Sequence, residues 1–333
     1  MPGQGTTMHA RLPTVVLTDH AWPDVDVERG LLERAGHRLV APLATASQQQ
    51  VEQLVLDAQP SAILTCWAPV SEAAIASSPP LRIVARLGVG LDNIAVPEAT
   101  RRGIWVTNVP DYCVEEVSDH AVALALSLLR GVAPLDREVR SGTWNPSGAR
   151  LQRVSRLTAG IIGYGRIGQR TAQKLTGLGM RVLALQPRRS CPPASPAEVV
   201  DLQRLLEETD VIVLHVPLNA DTHHLVDADF LARVRPGAII VNVSRGAVVD
   251  TGALRDALHD GRVGGAALDV VEGEPTPPAD LLGFPNVVLT PHVAFSSVVS
   301  ILELRRRATE EVVRVLEGQP PLQACNQPQT VGV

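Results

Sequence analysis

A chain of 333 residues exceeds one ordinary domain of roughly 150 residues, so two domains are expected. With 45% apolar and 20% charged residues, it can bury a substantial core and is not disordered by composition. A formal charge of −5, with both signs interspersed and only nine aromatic residues, argues against a polyanion-binding surface or a base-stacking platform, so no nucleic-acid partner is expected.

Strand-like and helical runs alternate along the chain. Residues 13–18 read as a buried strand, 27–35 as helix, 38–41 as strand and 47–58 as helix with a serine at the N-cap. Strand at 61–65, a short helix at 71–76 and strand at 81–86 complete the first series. Residues 115–130 form a long helix, apolar nearly all round, expected to be deeply packed, with a second subunit as one possible partner. The second series then runs strand 158–162, helix 166–178, strand 181–185, helix 202–207, strand 211–214, helix 229–233 and strand 238–242. Helix 251–259 and strands 266–268 and 287–289 follow, and an amphipathic helix over 301–317 closes the series. Such alternation, with apolar runs unbroken within the strands, predicts an α/β fold of parallel sheets covered by helices. Proline-rich stretches at 187–196 and 275–278 read as loops.

Cys66, Cys113, Cys191 and Cys325 form no C-x-x-C pair, so neither a disulfide framework nor a metal site is expected. The first dozen residues lack a basic segment followed by an apolar run, and the apolar helical stretch 120–129 is too short to span a bilayer. A cytoplasmic protein without a membrane partner is expected. Both ends, residues 1–12 and those after Gly318, read as frayed tails. Lys174 is the single lysine beside 29 arginines, so arginine abundance is a compositional bias and not in itself a sign of anion binding.

The sharpest local signal is Gly163-Tyr164-Gly165-Arg166-Ile167-Gly168, which follows the strand TAGII and opens a helix. Gly163 permits a tight turn, Gly165 lets backbone approach a pyrophosphate, and Gly168 lets helix and strand pack closely. The helix N-terminus then offers unpaired N–H groups to the phosphates. The next strand ends at Gln186, where an NAD site places a carboxylate on the ribose hydroxyls. A neutral Gln186, with Arg188 and Arg189 after it, predicts NADP preference or loss of discrimination between NADP and NAD. Solvated loop arginines are the alternative.

Three later strands end in Arg245, in Asp269 to Glu274, and in Thr290-Pro291-His292. An arginine, a carboxylate and a histidine at strand ends suit hydride transfer to a 2-keto acid. His292 would exchange the proton, Glu274 would stabilise the imidazolium, and Arg245 would hold the substrate carboxylate and polarise the carbonyl. Each residue taken singly also has an ordinary loop reading, including an Arg245–Asp250 surface ion pair.

Six segments together resemble the D-isomer-specific 2-hydroxyacid dehydrogenase family, in the branch of the C-terminal binding proteins and phosphoglycerate dehydrogenase. They are ARLGVGLDNI (85–94), GIWVTNVPDYCVEEVSDHAVALALSLLR (103–130), GIIGYGRIG (160–168), VNVSRGAVVD (241–250), AALDVVEGEP (266–275) and NVVLTPHVAF (286–295). The resemblance implies two Rossmann-like or flavodoxin-like parallel-sheet domains. A nucleotide domain (111–296) is inserted into a discontinuous substrate domain (1–110 plus 297–333), and the protein is a homodimer. It makes Arg245, Glu274 and His292 the catalytic set and Asp269 the partner of the nicotinamide carboxamide. His215, Val216, Pro217, Val243 and Ser244 would line the cofactor. The N–H groups of Val89 and Gly90 would bind the substrate carboxylate, with Trp67 and Phe295 also at the substrate. Arg86 would either bind an anionic group or serve structurally. Phe295 stands where C-terminal binding proteins have Trp, and Ser296-Ser297-Val298-Val299 replaces their following residues, which bears on the substrate side-chain pocket. Two other readings stay open: a nucleotide-sensing interaction protein, and a dehydrogenase acting on a phosphonate- or phosphite-like anion.

Overall fold

The computed structural model describes residues 12–41, 46–149, 151–186, 195–276 and 278–328. They form two compact units, Met1–Tyr112 with Val298–Val333, and Cys113–Ser297.

The first unit contains β1 (Thr14–Leu17), α1 (Asp26–Arg34), β2 (Arg38–Val40), α2 (Gln48–Ala58), β3 (Ala62–Thr65), α3 (Glu72–Ala76), β4 (Ile83–Arg86), α4 (Val96–Arg101) and β5 (Trp105–Thr107), and a closing helix, Val298–Leu316. Its sheet has the order β2-β1-β3-β4-β5, parallel throughout. The strands TVVL, AILT and IVAR are buried along their whole length, as strands covered on both faces must be. The two elements not expected from the pattern, α4 and β5, are short, six and three residues long.

The second unit contains α5 (Val114–Leu129), α6 (Val132–Arg140), β6 (Thr158–Ile162), α7 (Arg166–Gly177), β7 (Arg181–Leu185), β8 (Glu198–Val199), α8 (Leu202–Glu208), β9 (Val211–Leu214), α9 (Ala228–Arg233), β10 (Ala238–Asn242), α10 (Thr251–His259), β11 (Val263–Leu268), α11 (Ala279–Leu282) and β12 (Val287–Leu289). Its sheet runs β12-β11-β10-β9-β6-β7-β8, again parallel. β6 pairs with both β7 and β9, so the strand order reverses beside it. That reversal is where open α/β sheets bind ligands, beyond the C-terminal strand ends. The α/β class with two parallel-sheet domains is the one the sequence pattern predicts.

The apolar α5 packs against α7, β10 and β11 of its own unit, while Ala123 is exposed and Val122, Leu126 and Leu128 are half-buried. One expectation changes. The polar segment after Gly318 does not fray over its described part. Cys325 N–H donates to Val106 O, and Asn326 accepts from Val106 N–H while donating to Ile104 O. The buried Glu311 carboxylate accepts the N–H groups of Leu322 and Gln323. The tail thereby pairs the open edge of β5, which a sheet cannot leave bare without risk.

One ion pair joins sequence-distant parts of the first unit. From the closing helix, Arg305 donates Nε and Nη2 to the two oxygens of Glu28, at 2.9 and 2.8 Å. Nη2 also reaches Asp24 at 3.0 Å, and the guanidinium lies 5.3 Å from the Trp22 ring centroid. Glu28 is fully buried, so removing it leaves the buried Arg305 guanidinium with only the half-exposed Asp24 as its partner. Glu28→Ala is expected to destabilise the protein by about 3–5 kcal/mol, measured by urea denaturation. A loss under about 1 kcal/mol would mean that the pair behaves as a solvated one.

Candidate active site

The glycine loop between β6 and α7 is shaped by close approach. Gly163 has φ +97°, and a Cβ there would lie 2.6 Å from the backbone C and O of His215. A Cβ on Gly168 would lie 2.1 Å from Gly163 O. At Gly165 a Cβ would meet nothing within 4 Å, so the first turn of α7 opens on a cradle where a phosphate fits. Arg166 is exposed and Ile167 half-buried on that turn. Tyr164 is buried, and its hydroxyl shares a hydrogen bond with Ser195 Oγ.

Gln186 follows β7 and is half-buried. Arg188 and Arg189 lie outside the described residues. His215 follows β9, with its N–H on Ile162 O, and precedes Val216 and the exposed Pro217. Val243 and Ser244 are buried after β10. Ser244 turns its N–H and its hydroxyl onto Asn242 Oδ1, at 3.0 and 2.7 Å. Asn242 Nδ2 donates to Arg245 O, so this asparagine shapes the turn that presents Arg245.

The catalytic candidates occupy neighbouring loops of the second unit. His292 Nδ1 lies 2.9 Å from Glu274 Oε2, the imidazole half-buried and the glutamate exposed. Phe295 stands edge-on to the His292 ring, with centroids 6.2 Å apart. Arg245 is half-buried and donates Nη1 to Ser244 O. The next residue, Gly246, packs so tightly that a Cβ would lie 2.2 Å from the Val271 carbonyl. The loop carrying Arg245 is therefore seated directly on the backbone leading to Glu274.

The acidic residues of that backbone divide their work. Glu272 accepts His224 Nε2–H at 2.7 Å and Thr251 N–H at 2.9 Å, tying three loops together. The bond to Glu272 raises the His224 imidazolium above its ordinary range. Burial pushes the Glu272 carboxyl up, but the bonds from Thr251 and His224 outweigh it and the net direction is down. Asp250 caps α10 through Ala253 N–H, and the nearest cation shown for it is His224, at 3.9 Å. Asp269 is buried, and its carboxylate accepts Thr290 Oγ1–H at 2.6 Å, Val293 N–H at 3.0 Å and Ala294 N–H at 2.9 Å. Those bonds use three of the roughly four acceptor positions of a carboxylate.

In the first unit, Trp67 follows β3 and is 39% exposed. The buried Asp19 accepts the N–H groups of Cys66, Trp67 and Ala68 and so holds that loop. Arg86 is buried and donates to the carbonyls of Leu87 and Gly90. It underpins the loop of Val89 and Gly90, and the missing side chain of Gly88 leaves room for its guanidinium. Asn108 Nδ2 holds Val89 O from the other side, while no acceptor meets the N–H of Val89 or Gly90 among the described residues. Asp19 lies outside the recognised segments, and Asn108 and Asn242 lie within them without an assigned role; their hydrogen bonds show what they do. Among the described residues, no group of three or more His, Cys, Asp or Glu could hold a metal ion, and no helix is long and apolar enough to cross a membrane.

Residues 122–294 match the sequence model of the D-isomer specific 2-hydroxyacid dehydrogenase NAD-binding domain. The glyoxylate reductase of Korarchaeum cryptofilum is 42% identical over 266 residues, covering 78% of this chain and 80% of that protein. The chain belongs to the D-isomer-specific 2-hydroxyacid dehydrogenases. Among solved structures, the NADPH-dependent glyoxylate/hydroxypyruvate reductase of Sinorhizobium meliloti, in complex with NADP and malonate, superposes with a TM-score of 0.81 at 32% identity, covering 94% of this chain and 97% of that one. The D-lactate dehydrogenase of Aquifex aeolicus, complexed with NAD and lactic acid, gives a TM-score of 0.84 at 26% identity, covering 95% of this chain and 100% of that one.

As a member of this dehydrogenase family, the chain is an NAD(P)-dependent 2-keto acid reductase. The residues present fit a nicotinamide dinucleotide: the Gly165 cradle suits the pyrophosphate, and the strand reversal beside β6 suits the rest. His215, beside that reversal, links stability to pH. Burial pushes the His215 imidazole down to about 3, and its Nε2 is shut from solvent without a hydrogen-bond partner. The unfolded chain protonates this histidine near the ordinary value of about 6.5. Its contribution to stability is therefore complete above about pH 6.5 and is lost as pH falls toward about 3. Replacing it, as in His215→Leu, should flatten the decline in melting temperature over that window, and an unchanged slope would show that His215 is not the group responsible.

Proposed function

We propose that this dehydrogenase reduces a small 2-keto acid of the glyoxylate class, with NADPH preferred, and that His292 is the general acid. The observation that carries the reading is the His292–Glu274 hydrogen bond at 2.9 Å beside the Arg245 loop. With Nδ1 engaged by Glu274, Nε2 is the nitrogen that gives its proton to the carbonyl oxygen. Glu274 stabilises the imidazolium, and Arg245 orients the substrate carboxylate and polarises the carbonyl. A bound reduced nicotinamide supplies the hydride. The remaining acceptor position of Asp269 suits the carboxamide of that group. Val89 and Gly90 offer the substrate carboxylate two main-chain donors, and Trp67 and Phe295 bound its side chain. Of the two roles left open for Arg86, its bonds to carbonyls favour the structural one.

The substrate class draws on the glyoxylate reductases similar to this chain, at 37–42% identity in three archaeal cases. Cofactor preference draws on Gln186, which carries no charge to repel a 2′-phosphate. The similar structures hold both NADP and NAD and so leave that preference to this chain's own residues. A homodimer is part of the reading. The exposed apolar residues Val132, Val139, Trp144 and Leu151, on and after α6, are the surface that supports it. So is a cytoplasmic setting, with Cys66, Cys113 and Cys325 unbridged.

The test follows NADPH and NADH absorbance with glyoxylate, hydroxypyruvate, phenylpyruvate and phosphonopyruvate. Highest kcat/KM for the small keto acids with NADPH is expected, and a strong NADH preference would remove the argument from Gln186. Turnover of none of them, with cofactor still bound, would favour an interaction protein, and turnover of phosphonopyruvate alone an anion of that type. His292→Ala should lower kcat by about two to four orders of magnitude. An unchanged rate would take His292 out of the mechanism.

A further inference from the structure

His292 sits in a conformation that side chains with a Cβ resist. Its φ is +53°, in the left-handed region. A strained residue stays in place only when its surroundings over-determine it. Here the restraints converge on Asp269. His292 N–H donates to the Asp269 main-chain O at 2.8 Å. Val293 and Ala294 N–H donate to its two carboxylate oxygens, and Thr290 Oγ1 donates to Oδ1 at 2.6 Å.

The chain of bonds does not end at Asp269. Thr290 has one hydroxyl proton, and the carboxylate takes it. Its oxygen must then accept from its remaining neighbour, His120 Nε2, at 2.9 Å. That requirement assigns the tautomer, because Nε2 must carry a hydrogen. The same nitrogen lies 3.5 Å from Asp269 Oδ1, so the N–H dipole faces the carboxylate as well. His120 stands on α5, which is packed against α7, β10 and β11, so its ring is borne by a rigid element 170 positions from Thr290.

We propose that His120 is a positioning residue for proton transfer: its Nε2–H locks the Thr290 hydroxyl onto Asp269 and thereby fixes the backbone that presents His292. The proposal rests on the reading of His292 as the acid. Without the imidazole, Thr290 is released to rotate and Asp269 Oδ1 loses its shortest bond. The loop is then held by main-chain bonds alone. The expected consequence is a loss in kcat rather than in substrate affinity, because the acid is misplaced and not removed.

The test uses the whole chain with His120→Leu, His120→Gln and Thr290→Val. Gln can offer an amide N–H near the place of Nε2, and Leu cannot. Peptide-resolved hydrogen exchange over residues 290–295 reads the loop without reference to activity. His120→Leu and Thr290→Val should each raise exchange there by about tenfold or more and lower kcat by about tenfold, with KM within about twofold. His120→Gln should restore both to within about threefold, and the double variant His120→Leu/Thr290→Val should be no worse than either single one. Unchanged exchange over 290–295 in both His120→Leu and Thr290→Val would overturn the proposal, as would additive losses in the double variant. So would a looser loop with unchanged kcat where His292→Ala is strongly impaired. If His292→Ala itself retains full rate, the acid assignment falls and the role in proton transfer falls with it. The exchange data then separately decide whether His120 holds the loop.

Discussion

Backbone packed directly on backbone, at the C-terminal rim of the seven-stranded sheet, is the constraint on which the second unit depends. Gly163 lies against the His215 carbonyl, Gly168 against Gly163 O, and Gly246 against the Val271 carbonyl and Glu272 N. None of these contacts leaves room for a Cβ, so each loop takes its position from the main chain of the next. Parallel strands make this possible, because every strand delivers its loop to the same rim. Glycine costs conformational entropy at each such place. The structure concentrates that cost where loops must touch, and the candidate catalytic side chains of Arg245, Glu274 and His292 stand on the segments thus aligned. The single glycine of the cradle that faces open space, Gly165, is the one positioned for a ligand instead of for a neighbour.

Carboxylates, three buried and one half-buried, do the rest of the holding. Asp19 gathers three consecutive N–H groups around Trp67, Glu311 takes two from the returning tail, Asp269 takes two beyond His292, and Glu272 joins Thr251 to His224. A carboxylate suits this work because it accepts several donors at once, and charge-assisted bonds are about twice as strong as neutral ones. A chain with few aromatic residues has few large side chains with which to wedge its loops apart. It ties them to internal anions, and in one place to an internal cation, Arg86. Against that background Glu274 is the exception, since its described partner is the imidazole of His292 and not a main-chain amide.

The sheets were legible in the sequence because parallel strands buried on both faces read as unbroken apolar runs, and the glycine motif because its spacing carries a mechanism. What escaped is short or non-local. β5 is three residues long, and β11 begins at Val263, ahead of its apolar run, because Gly264 and Gly265 let it pass close to the Gly237 and Asn286 carbonyls. The tail lacks any period, and its order comes from bonds to β5 and Glu311, which no local pattern records. His120 sits in an apolar helix and reads as packing, and Asp269 reads as a cofactor ligand. That the two meet through Thr290 is a property of the fold alone.

The proposed acid and the residues proposed to orient it belong to residues 113–297: His292, Glu274, Arg245, Asp269, Thr290 and His120. In the first unit, the candidates Trp67 and the N–H groups of Val89 and Gly90 are held by their own internal ties through Asp19, Arg86 and Asn108. The hydrogen bonds that hold these candidates share no residue with those that hold His292 in its left-handed conformation. Phe295 is the candidate for the substrate side chain that lies in the second unit, edge-on to the His292 imidazole. It is the position where a change in selectivity must also disturb the acid.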